Sequence, residues 1–196
     1  MQTTKKTPAS FINTRQLAIV GLLSGISILL SLTPLGFIPI PPINATIMHI
    51  PVVIGAILEG PLVGALIGLI FGVTSFAKAF TTPTPLSFIF WNPIISIGVR
   101  ILIGVVSAYV YRLLGKSKTS VVISALAGSL TNTIGVMGLI YLFYVAKYAE
   151  TLGISLEAAK AGIVGIVVTS GIPEAILCSM VTLAVVTAVK KSRKGR

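Results

Sequence analysis

Charged residues divide this chain into long apolar runs. Residues 14–33, TRQLAIVGLLSGISILLSLT, carry one charge, at Arg15. Similar runs recur at about 61–80, 92–114, 119–146 and 160–189, with a shorter one at about 48–58. A helix crosses the hydrocarbon layer with about 20 predominantly apolar residues, so each run predicts a helix at membrane depth. Between the first two, residues 34–47 hold Pro34, Pro39, Pro41 and Pro42. Proline removes a backbone donor and clashes with the preceding turn, so this stretch cannot be one regular helix. Residues 81–92, with Pro83, Pro85 and Trp91, predict a loop, and residues 147–160 form the most polar internal segment. The string SGIPE at 170–174 predicts a break in the sixth run. The expectation is an all-α membrane protein: six transmembrane helices in one transmembrane domain spanning residues 1–196.

Basic residues set its orientation. Lys5, Lys6, Arg15, Arg112, Lys116, Lys118, Lys190, Lys191, Arg193, Lys194 and Arg196 fall on one side of a six-span chain. Lys78, Lys147 and Lys160 fall on the other, and Arg100 lies inside a span. Lys and Arg concentrate in cytoplasmic loops, so both termini are expected in the cytoplasm of a multi-pass protein of the prokaryotic cell membrane. Span one is too long for a cleavable signal peptide and no small-residue cleavage site follows it.

Composition agrees. Of 196 residues, 55% are hydrophobic and 10% charged, against about 25% charged in a soluble domain. Mean hydropathy is +1.02. The net charge of +11 is explained by topology rather than by nucleic acid. The chain has no Asp, four Glu (Glu59, Glu150, Glu157, Glu174), one histidine, His49, and one cysteine, Cys178. That inventory excludes paired-aspartate chemistry and an intrachain disulfide or cysteine zinc site, and it supplies no recognisable catalytic set. Gly115-Lys116-Ser117 resembles the end of a phosphate loop, but the first glycine such a loop needs is replaced by Val110. Energy for active transport would have to come from an ion gradient or from another subunit.

Three polar residues sit at similar depth: Arg100 in span four, Asn132 beside Thr131 and Thr133 in span five, and Glu174 after Pro173 in span six. Ionisable groups inside a membrane protein face a bundle interior or a cavity. Two readings stand: an Arg100–Glu174 ion pair, or a pocket in which Arg100 takes a substrate carboxylate while Glu174, Asn132 and Thr131 meet polar groups. The arginine fork pairs with carboxylate in bidentate fashion and stays charged. Asn44, His49, Trp91 and Asn92, at the outer ends of their spans, are candidates for the mouth. Gly60, Gly64, Gly68 and Gly72 form a stripe on one face of span three, the pattern of close helix packing. Ala18, Gly21 and Gly25 form a shorter stripe on span one.

Residues 33–76, TPLGFIPIPPINATIMHIPVVIGAILEGPLVGALIGLIFGVTSF, resemble the substrate-binding S component of energy-coupling-factor (ECF) vitamin transporters. PPINATIMHIP at 41–51, SLTNTIGVMG at 129–138 and SGIPEA at 170–175 are most similar to the pantothenate-specific members. The resemblance implies a six-helix bundle that binds a vitamin from outside and has neither ATPase activity nor a cofactor. It also implies partners, a transmembrane coupling subunit and two ATPase subunits, with delivery by toppling in the bilayer. Ala18, Gly21 and Gly25 match the usual docking positions, and segments 34–47 and 81–92 match the lids. An S component for riboflavin or folate, or an autonomous transporter relaying protons through Glu174, are the competing readings.

Overall fold

The computed structural model describes residues 12–40, 43–115 and 117–194, without the side chains of residues 37–40, 43–45 and 194. Lys5, Lys6, Lys116 and Arg196 of the basic set lie outside it, as do the side chains of Asn44 and Lys194. Nearly everything described is helical. Helix α1 spans Thr14–Leu32 and opens on a capping box, in which the Asn13 side chain accepts from the Gln16 amide at 2.8 Å and the Gln16 side chain from the Asn13 amide at 3.2 Å. A 3-10 turn at Pro34–Gly36 leads into an antiparallel hairpin, β1 (Phe37–Ile40) with β2 (Ile43–Thr46), in register Phe37↔Thr46 to Ile40↔Ile43. The proline-rich stretch is therefore a short β element within an otherwise helical chain.

Helix α2 (Ile50–Glu59) meets α3 (Pro61–Thr81) at Gly60, whose φ of 101° admits glycine far more readily than any residue bearing a Cβ. A four-residue helix α4 (Ser87–Phe90) interrupts the expected loop, and a π-helical turn at Ile94–Gly98 precedes α5 (Val99–Leu113). Then follow α6 (Lys118–Phe143), α7 (Val145–Leu152), α8 (Leu156–Thr169) and α9 (Gly171–Lys194). The break at SGIPE is a single residue, Ser170, between α8 and α9.

Among the described residues, five helical stretches are long and apolar enough to cross a membrane: Thr14–Leu32, Pro61–Thr81, Ile94–Leu113, Lys118–Phe143 and Leu156–Arg193. The segment at 48–58 is the short apolar helix α2, ten residues long, or about 15 Å. That is half the hydrocarbon thickness. It is also the centre of the molecule. Val52, Val53, Ala56 and Ile57 are buried on successive faces, and α2 touches α1, α3, α5, α6 and α9. Leu17, Leu22, Leu102, Leu142 and Met180 point outward on the periphery, as a surface facing lipid requires.

The glycine stripe of α3 packs inside the protein. A Cβ at Gly64 would lie 2.6 Å from the Ala56 Cβ, one at Gly68 2.2 Å from the Arg100 carbonyl oxygen, and one at Gly72 2.7 Å from the Ile97 Cα. Gly104 answers from α5, where a Cβ would come within 2.3 Å of the Gly64 backbone. Small residues at such a crossing let the two backbones touch. By contrast, the Gly21 and Gly25 positions on α1 have nothing within 4 Å.

Charges mark one end of the bundle. Glu59 at the end of α2 accepts from Arg15 (2.8 Å) at the start of α1 and from Arg193 (2.6 Å) at the end of α9. Lys190 of α9 donates to the Tyr111 hydroxyl of α5. The hairpin and the α3–α4 connection lie at the opposite end. Placing a methyl in the tight crossing forces the backbones apart and costs about 1–3 kcal/mol. Gly68→Ala is therefore expected to lower the thermal unfolding midpoint in detergent, while Gly21→Ala leaves it unchanged; equal midpoints for the two variants would refute the crossing as a packing constraint.

Candidate functional site

Because α2 stops halfway, space remains between its N-terminus and the hairpin. A cavity of about 330 Å³ occupies it, at the small end of the roughly 300–1,000 Å³ typical of ligand pockets. The end of α1 contributes Ser31, the hairpin exit Thr46, Met48 and His49, and α3 Phe71, Ser75, Lys78 and Ala79, with Thr82 capping its end. Thr84, Ser87 and Phe90 come from the connection after α3, Arg100 from α5 and Asn132 from α6.

Arg100 is a buried cation on the cavity wall. Its residue is 7% exposed. The guanidinium lies between two aromatic faces, 5.5 Å from the Phe71 ring centre and 5.6 Å from that of Phe90. Such contacts contribute about 2 kcal/mol each when desolvated. Nη1 donates to the Ile95 carbonyl at 3.0 Å, and Nε is buried without a hydrogen-bond partner. The preceding π-turn accounts for the acceptor. Its wider pitch pairs the Val99 amide with the carbonyl of Ile94, and the guanidinium folds back onto the next carbonyl. Single π-turns of this kind recur at functional sites.

Of the two readings, the Arg100–Glu174 ion pair does not form among the described residues. Ion pairs among the described residues are Arg15–Glu59, Arg193–Glu59 and Lys160–Glu157. Glu174 instead holds the hairpin. Its Oε1 accepts from the Thr46 amide (2.8 Å) and the Thr46 hydroxyl (3.0 Å), and Oε2 from the Thr133 hydroxyl (3.4 Å). The carboxylate is thus turned to protein donors, and Arg100 lines the cavity with no carboxylate paired to it among the described residues.

Helix α6 presents one polar edge at i, i+3 and i+4, the spacing that stacks side chains on one face. Ser129 Oγ lies 3.1 Å from His49 Nε2, Asn132 lines the cavity with Oδ1 buried and unpartnered, and Thr133 reaches Glu174. Thr131 is off that edge and donates back to the Ala127 carbonyl at 2.7 Å. His49 is buried just ahead of α2, on the cavity wall.

Trp91 and Asn92 lie outside the cavity lining. Trp91 donates from Nε1 to the Ala79 carbonyl (3.2 Å) and stacks on Phe80, pinning the connection after α3 to the end of that helix. Asn92 donates to the Tyr144 hydroxyl (3.3 Å) and accepts from the Ile94 amide (2.9 Å), so it organises the π-turn. The Asn44 side chain lies outside the described residues. The sequence reading missed the α3 wall. Phe71, Ser75, Lys78, Ala79 and Thr82 fall at i, i+4, i+7, i+8 and i+11, a helical stripe carrying a lone lysine, visible as a periodicity beside the glycine stripe.

Hydrogen bonds to a charged group contribute about 1.5–3 kcal/mol. Glu174→Ala should therefore speed amide exchange at Thr46 by about tenfold or more, with Glu174→Gln intermediate because its carbonyl still accepts. Unchanged exchange at Thr46 in the alanine variant would remove Glu174 as the hairpin's anchor.

The model of the family described as "ECF transporter, substrate-specific component" matches residues 15–186. The chain is 32% identical over 168 residues to the "Pantothenic acid transporter PanT" of Lactococcus lactis subsp. cremoris, covering 79% of this chain and 82% of that protein. It is 30% identical over 175 residues to the "Pantothenate transporter PanT" of Leuconostoc mesenteroides subsp. mesenteroides, covering 83% and 86%. With its apolar helices, its half-length central helix and its cationic cavity, this chain belongs to the substrate-specific components of ECF transporters.

Proposed function

We propose that this chain binds pantothenate from outside the cell, as the membrane-embedded substrate-binding subunit of an ECF-type ABC importer. The observation that carries the substrate reading is Arg100: a buried guanidinium on a cavity wall, with one unpartnered N–H and no protein carboxylate against it. An uncompensated buried cation is costly, and a ligand carboxylate relieves that cost through charge-assisted hydrogen bonds. Pantothenate offers one carboxylate, an amide and two hydroxyls around an apolar gem-dimethyl group. Asn132 and the serine and threonine hydroxyls of the cavity suit its neutral polar groups, and Phe71, Met48 and Phe90 its apolar part. The printed names of the two relatives agree with this choice.

In this reading six membrane segments, α2 being the short one, place both termini in the cytoplasm of a bacterium, with the cavity opening outward under the hairpin and the α3–α4 connection. The basic end, with Arg15, Arg112, Lys190 and Arg193, then faces the cytoplasm. Transport proceeds when the subunit docks on a coupling subunit with two ATPases and topples to carry its pocket inward. Ala18, Gly21 and Gly25 form the docking stripe. They are exposed on α1, and the open space at both glycines leaves room for a partner helix.

Purified protein in detergent should bind labelled pantothenate saturably, displaced by unlabelled pantothenate and not by riboflavin, folate or biotin. Arg100→Ala should lose about thirtyfold or more in affinity, as truncating one side of a buried charge pair costs about 2–5 kcal/mol, while the protein still folds in detergent. A folded wild-type protein that ignores pantothenate would end the substrate assignment. In proteoliposomes, uptake should require the coupling and ATPase subunits with ATP. Gly21→Leu with Gly25→Leu should abolish uptake and leave binding intact. Uptake by the lone protein down a proton gradient, lost in Glu174→Gln, would replace this mechanism with proton coupling.

A further inference from the structure

The cavity holds a second cation that the carboxylate of a monoanionic ligand does not occupy. Lys78 lies on the same face of α3 as Phe71, seven residues further along, a rise of about 10 Å. Phe71 marks the level of the Arg100 guanidinium, so the two cations leave the wall at opposite ends of the space. The polar partner of Lys78 is neutral, the Ser31 carbonyl at the end of α1. No carboxylate pairs with it among the described residues. Glu59 is held by Arg15 and Arg193, Glu157 by Lys160, and Glu174 by Thr46 and Thr133. Of the six hydroxyl-bearing residues of the lining, Ser75 lies on the Lys78 half of α3, Thr82, Thr84 and Ser87 on the connection that follows it, and Ser31 at the end of α1 against Lys78, while Thr46 at the hairpin exit is bonded to Glu174. The aromatic pair Phe71 and Phe90 is at the Arg100 end.

We infer that Lys78 is the second anchor of the ligand. The cavity takes a molecule with an oxygen-rich group at each end, the carboxylate on Arg100 and the far-end hydroxyls on Lys78. This rests on the pantothenate reading for the identity of the molecule, and it adds an orientation and a ligand class. With a positive charge at both ends, the pocket also accepts a ligand anionic at both ends, such as pantothenate phosphorylated on its primary hydroxyl. Lys78 exchanges its bond to Ser31 for one to the ligand, which makes the end of α1 responsive to occupancy.

The test measures dissociation constants of three compounds on the full-length protein in detergent: pantothenate, its 4′-phosphate, and pantothenol, in which an alcohol replaces the carboxylate. The proteins are wild type, Lys78→Met, Lys78→Arg and Arg100→Lys. Lys78→Met should shift the phosphate-to-pantothenate affinity ratio by about tenfold or more, the size expected for losing one charge-assisted contact. Lys78→Arg should recover it. The pantothenol-to-pantothenate ratio should move in Arg100→Lys and stay fixed in Lys78→Met. If Lys78→Met moves the pantothenol ratio instead, the ligand lies the other way round and the proposal fails. If it moves neither ratio but lowers the unfolding midpoint, Lys78 only ties α1 to α3, and the proposal fails again. A wild-type protein that binds none of the three is then tested with a series of α,ω-dicarboxylates. Binding sensitive to Lys78→Met would keep the two-cation pocket and discard the vitamin, and no binding would overturn both.

Discussion

Arg100 is held where it is by an absence: the missing side chain of Gly68. The α3 backbone lies so close to the Arg100 carbonyl that a Cβ at Gly68 would sit 2.2 Å from it. The same closeness repeats at Gly64 with Gly104 and at Gly72 with Ile97. Helices in lipid gain little from hydrophobic burial against one another, since the tails are as apolar as the side chains, and tight van der Waals contact must serve instead. The glycine seam provides that contact, and it also fixes the rotation of α5. Once the seam is closed, the side chain of Arg100 points between Phe71 and Phe90, and the depth of the cationic end of the cavity is set.

The cavity itself is a consequence of helix length. A full-length helix in the place of α2 would fill the bundle, whereas ten residues fill half of it. The vacated half is roofed by the hairpin and by the connection after α3, and each roof is pinned by a specific contact. Glu174 grips Thr46, and Trp91 grips the end of α3 through the Ala79 carbonyl and the Phe80 ring. Both roofs are held by few contacts, three hydrogen bonds and one ring stack, so each is definite in position yet held by little.

Electrostatics leaves this cavity lined by two cations, Arg100 and Lys78. With four carboxylates in the whole chain, the protein has little negative charge to distribute. Glu59 is used at the basic end, Glu157 on α8 and Glu174 under the hairpin, Glu150 is exposed on α7, and no ion pair among the described residues reaches Arg100 or Lys78. A paired arginine would be a structural element that repels nothing and attracts little. An unpaired one stores unfavourable energy that an incoming anion would release, and on the proposed reading binding and burial are coupled through the same side chain.

Much of this was legible in the sequence. Apolar runs and proline placement located the five long apolar helical stretches and the short α2, and of the polar exceptions that hydrocarbon penalises, Arg100 and Asn132 line the cavity while Glu174 holds the hairpin beside it. The i, i+3, i+4 edge of Ser129, Asn132 and Thr133 also separates Asn132 from Thr131 by spacing alone. The relative rotation of the helices was not legible. Periodicity assigns residues to faces of their own helix, but it does not say which neighbour a face meets, so an Arg100–Glu174 pair and a Glu174–Thr46 contact were equally compatible with the chain. The conversion of the proline-rich stretch into a paired hairpin, the π-turn before Arg100 and the arrival of Lys78 at the far end of the cavity were likewise decided in three dimensions. They depend on the glycine seam and the short α2, where contacts between residues far apart in sequence overrule local preference.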